Sequence, residues 1–215
     1  EWWRAAANLV RHDQAMKSAI VLQGDSAGQK ILMSVDSVIF NSASEALQGV
    51  LTDVLTNRSV SGRIESSDTN IMVDVYQPRP RLVIVGGAHV AMALKNFAHQ
   101  LGFRVVLIDP RKAFATKERF PDVELVSHQY PDKALAAIGI TPETYVAVLT
   151  HDPKIDDPAL ITALPSNARY IGVLSSRRTH EKRIARLTEA GVDPQLFGRI
   201  HIPIGLEIGA KSPEE

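Results

Sequence analysis

A small α+β unit followed by a larger α/β domain, built on a parallel sheet with helices on both faces, is the fold class this sequence predicts. Three observations predict it. From residue 81 onward, short apolar runs alternate with helical stretches, the pattern of strands buried on both faces and joined by crossover helices. Residues 81–94, Arg-Leu-Val-Ile-Val-Gly-Gly-Ala-His-Val-Ala-Met-Ala-Leu, read as a buried strand that turns through Gly86 and Gly87 into a helix. Ahead of them, Gln77-Pro78-Arg79-Pro80 halts regular structure, because proline lacks a backbone donor and restricts the residue before it. The expected domains are residues 1–77 and 81–215, with 78–80 as linker.

In the first unit, Trp2, Ala6, Leu9 and Val10 recur at helical spacing and predict an amphipathic helix over residues 2–16. Residues 18–23 and 30–35 read as short strands around the turn Gly24-Asp25-Ser26-Ala27-Gly28. Ser42 and Glu45 have capping-box spacing ahead of Leu47, Val50, Leu51, Val54 and Leu55, a helical stripe. Ile71, Val73 and Val75 alternate with Met72, Asp74 and Tyr76 as in a half-buried strand, with residues 63–66 as hairpin partner.

In the second domain the expected strands are 82–85, 104–108, 123–126, 145–149, 170–174 and 199–202. The helix opened by Val90 carries Leu94, Phe97, Ala98 and Leu101 on one side and stops at Gly102, and a helix over 178–190, with Ile184 and Leu187 inward, stops at Gly191.

Composition narrows the function classes. With 215 residues, 45% of them hydrophobic, the chain can bury a sizeable core. Lys plus Arg balances Asp plus Glu at 24 each, so no overall attraction draws it to nucleic acid or to an anionic membrane. The absence of cysteine removes disulfides, thiolate metal sites and cysteine nucleophiles, and makes a cytosolic chain the default. No apolar run approaches the roughly 18–20 residues that span a bilayer, and no signal peptide is visible. The ends at Glu1 and Glu215 read as the limits of the ordered part of a longer protein.

In an open α/β sheet, ligands bind beyond the carboxyl ends of the strands. The residues expected there are Gly86, Gly87, Ala88 and His89; Asp109 and Arg111; His151 and Asp152; Ser175, Ser176, Arg177 and Arg178; and Gly205. In a dinucleotide turn the second small position lets the backbone approach a pyrophosphate, and Ala88 puts a methyl group there. Asp109 follows Gly86 at the roughly 20-residue interval of a ribose-binding acid, although Asp-Pro is also an ordinary strand-ending turn and Arg111 favours a phosphate instead. Arg177 and Arg178 at a helix start oppose the macrodipole, which favours an anion between them. His89 and His151 are the candidates for proton transfer near neutral pH, with Asp152 beside His151, although adjacent residues on an extended segment point apart. His89, His151, His180 and His201 lack metal-ligand spacing, so no metal site is expected.

Four blocks also carry a resemblance: Leu-Thr-His-Asp-Pro-Lys-Ile-Asp-Asp-Pro-Ala-Leu at 149–160, Leu-Ser-Ser-Arg-Arg-Thr-His at 174–180, Pro-Ile-Gly-Leu-Glu-Ile-Gly-Ala at 203–210, and residues 103–120 with their Val-Leu-Ile-Asp-Pro-Arg and Glu-Arg-Phe-Pro elements. Over residues 81–215 the chain closely resembles the XdhC/CoxI family of molybdenum-enzyme accessory proteins. The resemblance implies a Rossmann-type C-terminal domain behind a smaller N-terminal one. It implies a chaperone that binds molybdenum cofactor and helps its sulfurated form enter a xanthine dehydrogenase- or carbon monoxide dehydrogenase-type enzyme. Homodimerisation and contacts with a cofactor sulfurase and the client enzyme belong to the same expectation. Such proteins are frequently labelled by their client, as xanthine dehydrogenases.

Two positions depart from the family pattern. Its members carry a Gly-Gly-Cys segment where this chain has Asn41-Ser42-Ala43-Ser44, and a Gly-Ala-Gly-His turn where it has Gly86-Gly87-Ala88-His89. Two other readings stand beside the chaperone: an NAD(P)-dependent oxidoreductase with Asp109 on the ribose and His151 as acid or base, and a module serving only protein interaction.

Overall fold

The computed structural model describes residues 1–12, 14–35, 37–65, 70–175, 177–209 and 212–213, the side chains of Arg177 and Arg178 excepted. They form two compact units, Glu1–Pro78 and Arg79–Glu215.

The first unit contains α1 (Trp2–Arg11), β1 (Met16–Val21), β2 (Lys30–Ser34), β3 (Ser37–Asn41), α2 (Glu45–Thr56), β4 (Gly62–Glu65) and β5 (Asn70–Tyr76). Its strands pair antiparallel in the order β3-β2-β1-β5-β4. Strand periodicity sorts the side chains between two helices. Ala19, Val21, Ile31, Met33, Ile71 and Val73 pack against Leu51 and Leu55 of α2, while Leu32, Ile20 and Phe40 pack against Trp2, Ala6 and Leu9 of α1. Lys17 Nζ donates to the Leu55 carbonyl at 2.8 Å, satisfying an acceptor in the last turn of α2.

Two local expectations change here, and one strand stands outside them. The first helix stops at Arg11, where the His12 N–H closes the last turn on Asn8 and Leu9 carbonyls, and Met16 begins β1. The Ser42–Glu45 capping box does not form: Ser42 Oγ accepts from the Lys30 N–H at 3.0 Å across the sheet, and Ser44 is the N-cap. Strand β3 escapes the periodicity argument because it is an edge strand with almost no burial.

The second unit contains β6 (Arg81–Val85), α3 (His89–Gln100), β7 (Arg104–Ile108), β8 (Leu125–Ser127), α4 (Pro131–Ile138), β9 (Thr144–Val148), α5 (Pro153–Ala163), β10 (Tyr170–Val173), α6 (Arg177–Glu189), a 3-10 turn (Pro194–Arg199) and β11 (Ile200–His201). All six strands are parallel, in the order β11-β10-β9-β6-β7-β8. Counted within the unit this is the doubly wound 3-2-1-4-5-6 order, whose crevice opens where the first and fourth strands part. Val83, Val85, Val106, Ile108, Val146 and Val148 meet Leu135, Leu160 and Leu187 from α4, α5 and α6. Leu82, Ile84, Val105, Leu107, Ala147 and Leu149 meet Ala91 and Ala98 of α3, with Phe120 from the connection after β7.

Among the described residues, α3 is the one helix in that second cluster, and this overturns part of its inward stripe. Phe97 and Leu101 are 46% and 74% exposed. Together with Leu82, Phe103, Tyr145 and Tyr170 they line an apolar cavity of about 280 Å³ on this face.

Leu160 is fully buried in the larger core. Leu160→Ala is expected to lower stability by about 2–5 kcal/mol, read as a fall in the urea midpoint by circular dichroism.

Candidate functional site

The site is built where β6 and β9, neighbours in the sheet, send their chains to opposite faces. Gly86 has φ +108, and a Cβ on it would lie 2.5 Å from Thr150 Cγ2 and 3.3 Å from the Leu149 carbonyl carbon. A Cβ on Gly87 would run into the carbonyl oxygen of Phe114. Both glycines are therefore demanded by neighbouring loops that pack directly onto the turn, not only by the bend. Ala88, expected to crowd the turn, sits at φ −76, ψ −174 as the N-cap of α3, an ordinary extended conformation that its methyl group does not strain. It offers no side-chain acceptor, and the first turn of α3 holds no acidic residue. The positive end of the helix dipole is thus left to solvent or ligand, with His89 exposed beside it.

Asp109, at the end of β7, is completely buried. Its Oδ2 accepts from the Gly87 N–H at 2.9 Å and from Arg111 Nη2 at 2.8 Å, while Oδ1 accepts from the Arg111 backbone N–H at 3.0 Å and from its Nε at 2.9 Å. Four donors fill the carboxylate, so no lone pair is left for a ribose hydroxyl. Burial by itself would raise this carboxyl, but the Arg111 hydrogen bond, the two backbone N–H groups and the guanidinium charge together hold it below the usual carboxylate range. Arg111 is spent on the same pair and lies 4.3 Å over the Phe114 ring.

After β9, His151 takes φ +63, a left-handed conformation uncommon outside glycine, and its imidazole is exposed. The twist lets two neighbours work inward. Thr150 Oγ1 accepts from the Asp152 N–H at 3.1 Å and donates to Asp156 Oδ1 at 2.5 Å, and Asp152 caps α5 by accepting from the Lys154 N–H at 3.0 Å. His151 and Asp152 therefore have separate tasks, and the carboxylate is tied to a helix end rather than to the imidazole.

Asp156 and Arg183, which the motifs in the sequence do not single out, are 0% and 2% exposed and pair through Nη2 and Oδ2 at 3.0 Å. Burial pushes the Asp156 carboxyl up, opposed by the Thr150 hydroxyl, the Arg183 charge and His151. A signal for Arg183 was present: it lies four residues before the buried Leu187, on the inward face of α6. Ser175 is buried after β10. Ser176 lies outside the described residues, as do the side chains of Arg177 and Arg178, whose backbone opens α6. Gly205, with φ +85, borders the apolar cavity on the α3 face beside Tyr170 and not the glycine turn.

Two substitutions follow from this geometry. Gly87→Ala is expected to destabilise by about 1–3 kcal/mol through overpacking against Phe114, read by thermal melting. Asp109→Asn is expected to cost about 1–3 kcal/mol at neutral pH. A carboxyl held below its ordinary value contributes stability that is present above the unfolded value of about 3.9 and lost as pH falls through the folded value. The wild type should therefore lose stability in acid more steeply than the asparagine variant, in chemical denaturation repeated across pH 6 to 2.

Comparison with known proteins places this geometry in a family. Residues 82–215 match the family model described as the XdhC Rossmann domain. A protein of Bacillus subtilis named as a probable xanthine dehydrogenase component is 31% identical over 147 residues, 68% of this chain and 42% of that protein. The molybdenum cofactor insertion chaperone PaoD of Escherichia coli is 28% identical over 131 residues, 61% of this chain and 35% of that one. The chain thus spans less than half the length of these relatives. The crystal structure of a xanthine dehydrogenase from Bacillus halodurans superposes with a TM-score of 0.69 at 24% identity, covering 99% of this chain and 61% of that one, and shares the fold. The doubly wound sheet, the loops packed at its switch point and the match across the whole second domain lead to one conclusion: the chain belongs to the XdhC family.

Proposed function

We propose that this protein is a molybdenum-cofactor accessory protein that receives the cofactor as cargo, in contact with a cofactor sulfurase, and passes it to a molybdenum hydroxylase of the xanthine dehydrogenase type. The similarity to an insertion chaperone supports the class of function. The observation that carries the choice against an NAD(P)-dependent oxidoreductase is the Asp109 carboxylate, whose two oxygens already accept four hydrogen bonds within the protein. A ribose would have to displace Gly87 or Arg111 from a buried charge, at a cost of the order of 1–3 kcal/mol.

The residues present suit a phosphorylated, acceptor-rich heterocycle held without a thiolate. Gly86 and Gly87 open the turn, and the N-terminus of α3 from Ala88 to His89 offers backbone donors to an anionic group. His151 carries an exposed imidazole on the loop after β9, and buried Ser175 follows β10. With no cysteine in the chain, the hold on the cofactor is by hydrogen bonds and charge, which suits a carrier that must release it. The protein acts in the cytosol as a homodimer in this reading. Among the described residues no helix is long and apolar enough to cross a membrane.

Mass spectrometry of the natively purified protein is expected to find a molybdopterin-type ligand, and deletion of the gene to lower cofactor loading of the client at unchanged client abundance. Unchanged loading, or saturable calorimetric binding of NAD(H) or NADP(H) in place of a pterin, would overturn the reading.

A further inference from the structure

We propose that Arg183 and His180, within the first two turns of α6, form a buried binding site for a phosphoryl group. The inference rests on reading the carboxyl rim as a ligand site and supplies that site with its phosphate-binding side chains.

The first observation is a set of orphaned donors. Arg183 is 2% exposed and spends Nη2 on Asp156, but its Nε and Nη1 are buried with no hydrogen-bond partner among the described residues. A guanidinium cannot shed its charge to escape this, and a buried donor left without an acceptor is costly. His180 Nδ1 is likewise buried and unpartnered among the described residues. The two residues lie three apart, on one face of the helix, where side chains lean toward the N-terminus. The two unused Arg183 donors and the unpartnered His180 ring nitrogen therefore belong to one locality near the start of α6.

A second observation concerns the helix itself. Helix α6 runs for 13 residues, opens with Arg177 and Arg178, and has no acidic residue in its first turn. The positive end of its dipole is thus met by no carboxylate of the first turn, an arrangement that an oxyanion turns to advantage. Phosphoryl oxygens match the remaining geometry as well, since they only accept and take several donors at once.

The site is anchored to the switch point through Asp156. That carboxylate accepts from Arg183 on one oxygen and from Thr150 on the other, and Thr150 is the residue that Gly86 leaves room for. Asp156 thus orients the guanidinium and neutralises one charge, so the pair takes up an anion without a large net excess. Burial first, and then the Arg183 charge, hold the His180 imidazole below its ordinary value, against the opposing charge of Glu181.

The test titrates inorganic phosphate into the full 15N-labelled chain and follows the guanidinium Nε–H resonance of Arg183, with sodium chloride at matched ionic strength as control. A saturable shift with phosphate and not with chloride is expected, with affinity weakened roughly three- to tenfold in His180→Ala. Arg183→Lys is expected to abolish saturable phosphate binding by calorimetry; if it fails to fold, the resonance and the His180 variant decide. An Arg183 signal unmoved at about 50 mM phosphate, a shift equal to that of chloride, or unchanged affinity in His180→Ala would overturn the proposal. Cofactor copurifying with a protein whose Arg183 signal ignores phosphate would remove this inference and leave the chaperone reading. A phosphate-specific shift without any pterin ligand would do the reverse.

Discussion

Asp109 carries the constraint on which the rim depends. A carboxylate with no solvent exposure must find its hydrogen bonds inside the protein, because a buried unpaired charge is far more costly than any exposed one. It finds them in two places: the Gly87 N–H on the turn after β6, and the fork and backbone of Arg111 on the loop after β7. One side chain thereby fixes the glycine turn against the neighbouring loop and draws Phe114 over Gly87. The conformation of Ala88 and the start of α3 follow from that fixed turn.

A second buried pair does the corresponding work on the other side of the switch point. Asp156 and Arg183 tie α5 to α6, and Thr150 extends the link to the loop that lies against Gly86. The two pairs differ in what they leave over. Asp109 is saturated and Arg111 reaches partial solvent, whereas Arg183 is sealed in with donors unused among the described residues. Structural ion pairs are usually closed networks, since a half-satisfied one is worse than none. The asymmetry leaves unused donors on the α6 side and a closed clamp on the β7 side.

Much of this was legible from local pattern. The strands of the second unit are apolar runs bounded by turns, and both Gly102 and Gly191 take the positive φ that ends the helices before them. The Ile71–Val75 alternation and its hairpin partner are equally local. What pattern could not reach was partner choice. Ser42 and Glu45 have the spacing of a capping box, yet Ser42 spends its hydroxyl on Lys30 across the sheet. Phe97 and Leu101 have the spacing of a buried stripe, yet among the described residues no other helix packs in that cluster to cover them. The Asp109 interval has the look of a ribose ligand, and interval says nothing about which donors reach the carboxylate first.

Residue order alone sets the class of each unit, the rim residues at the strand ends and, through four motif blocks, the resemblance to XdhC proteins. Those are properties of periodicity, turn chemistry and residue spacing, which act over a few neighbours. Packing in three dimensions settles what the glycine turn means: Gly86 and Gly87 are bare because Thr150 and Phe114 press against them, and Ala88 is tolerated because the turn leaves it extended. It settles likewise that Asp109 is a clamp, that Asp152 is a helix cap, and that Arg183 keeps buried donors on α6 beside an unpartnered ring nitrogen of His180. The Asp109–Gly87 clamp, the press of Thr150 and Phe114 on the glycines and the Asp156–Arg183 pair depend on contacts between segments far apart in the chain, which no spacing along it encodes.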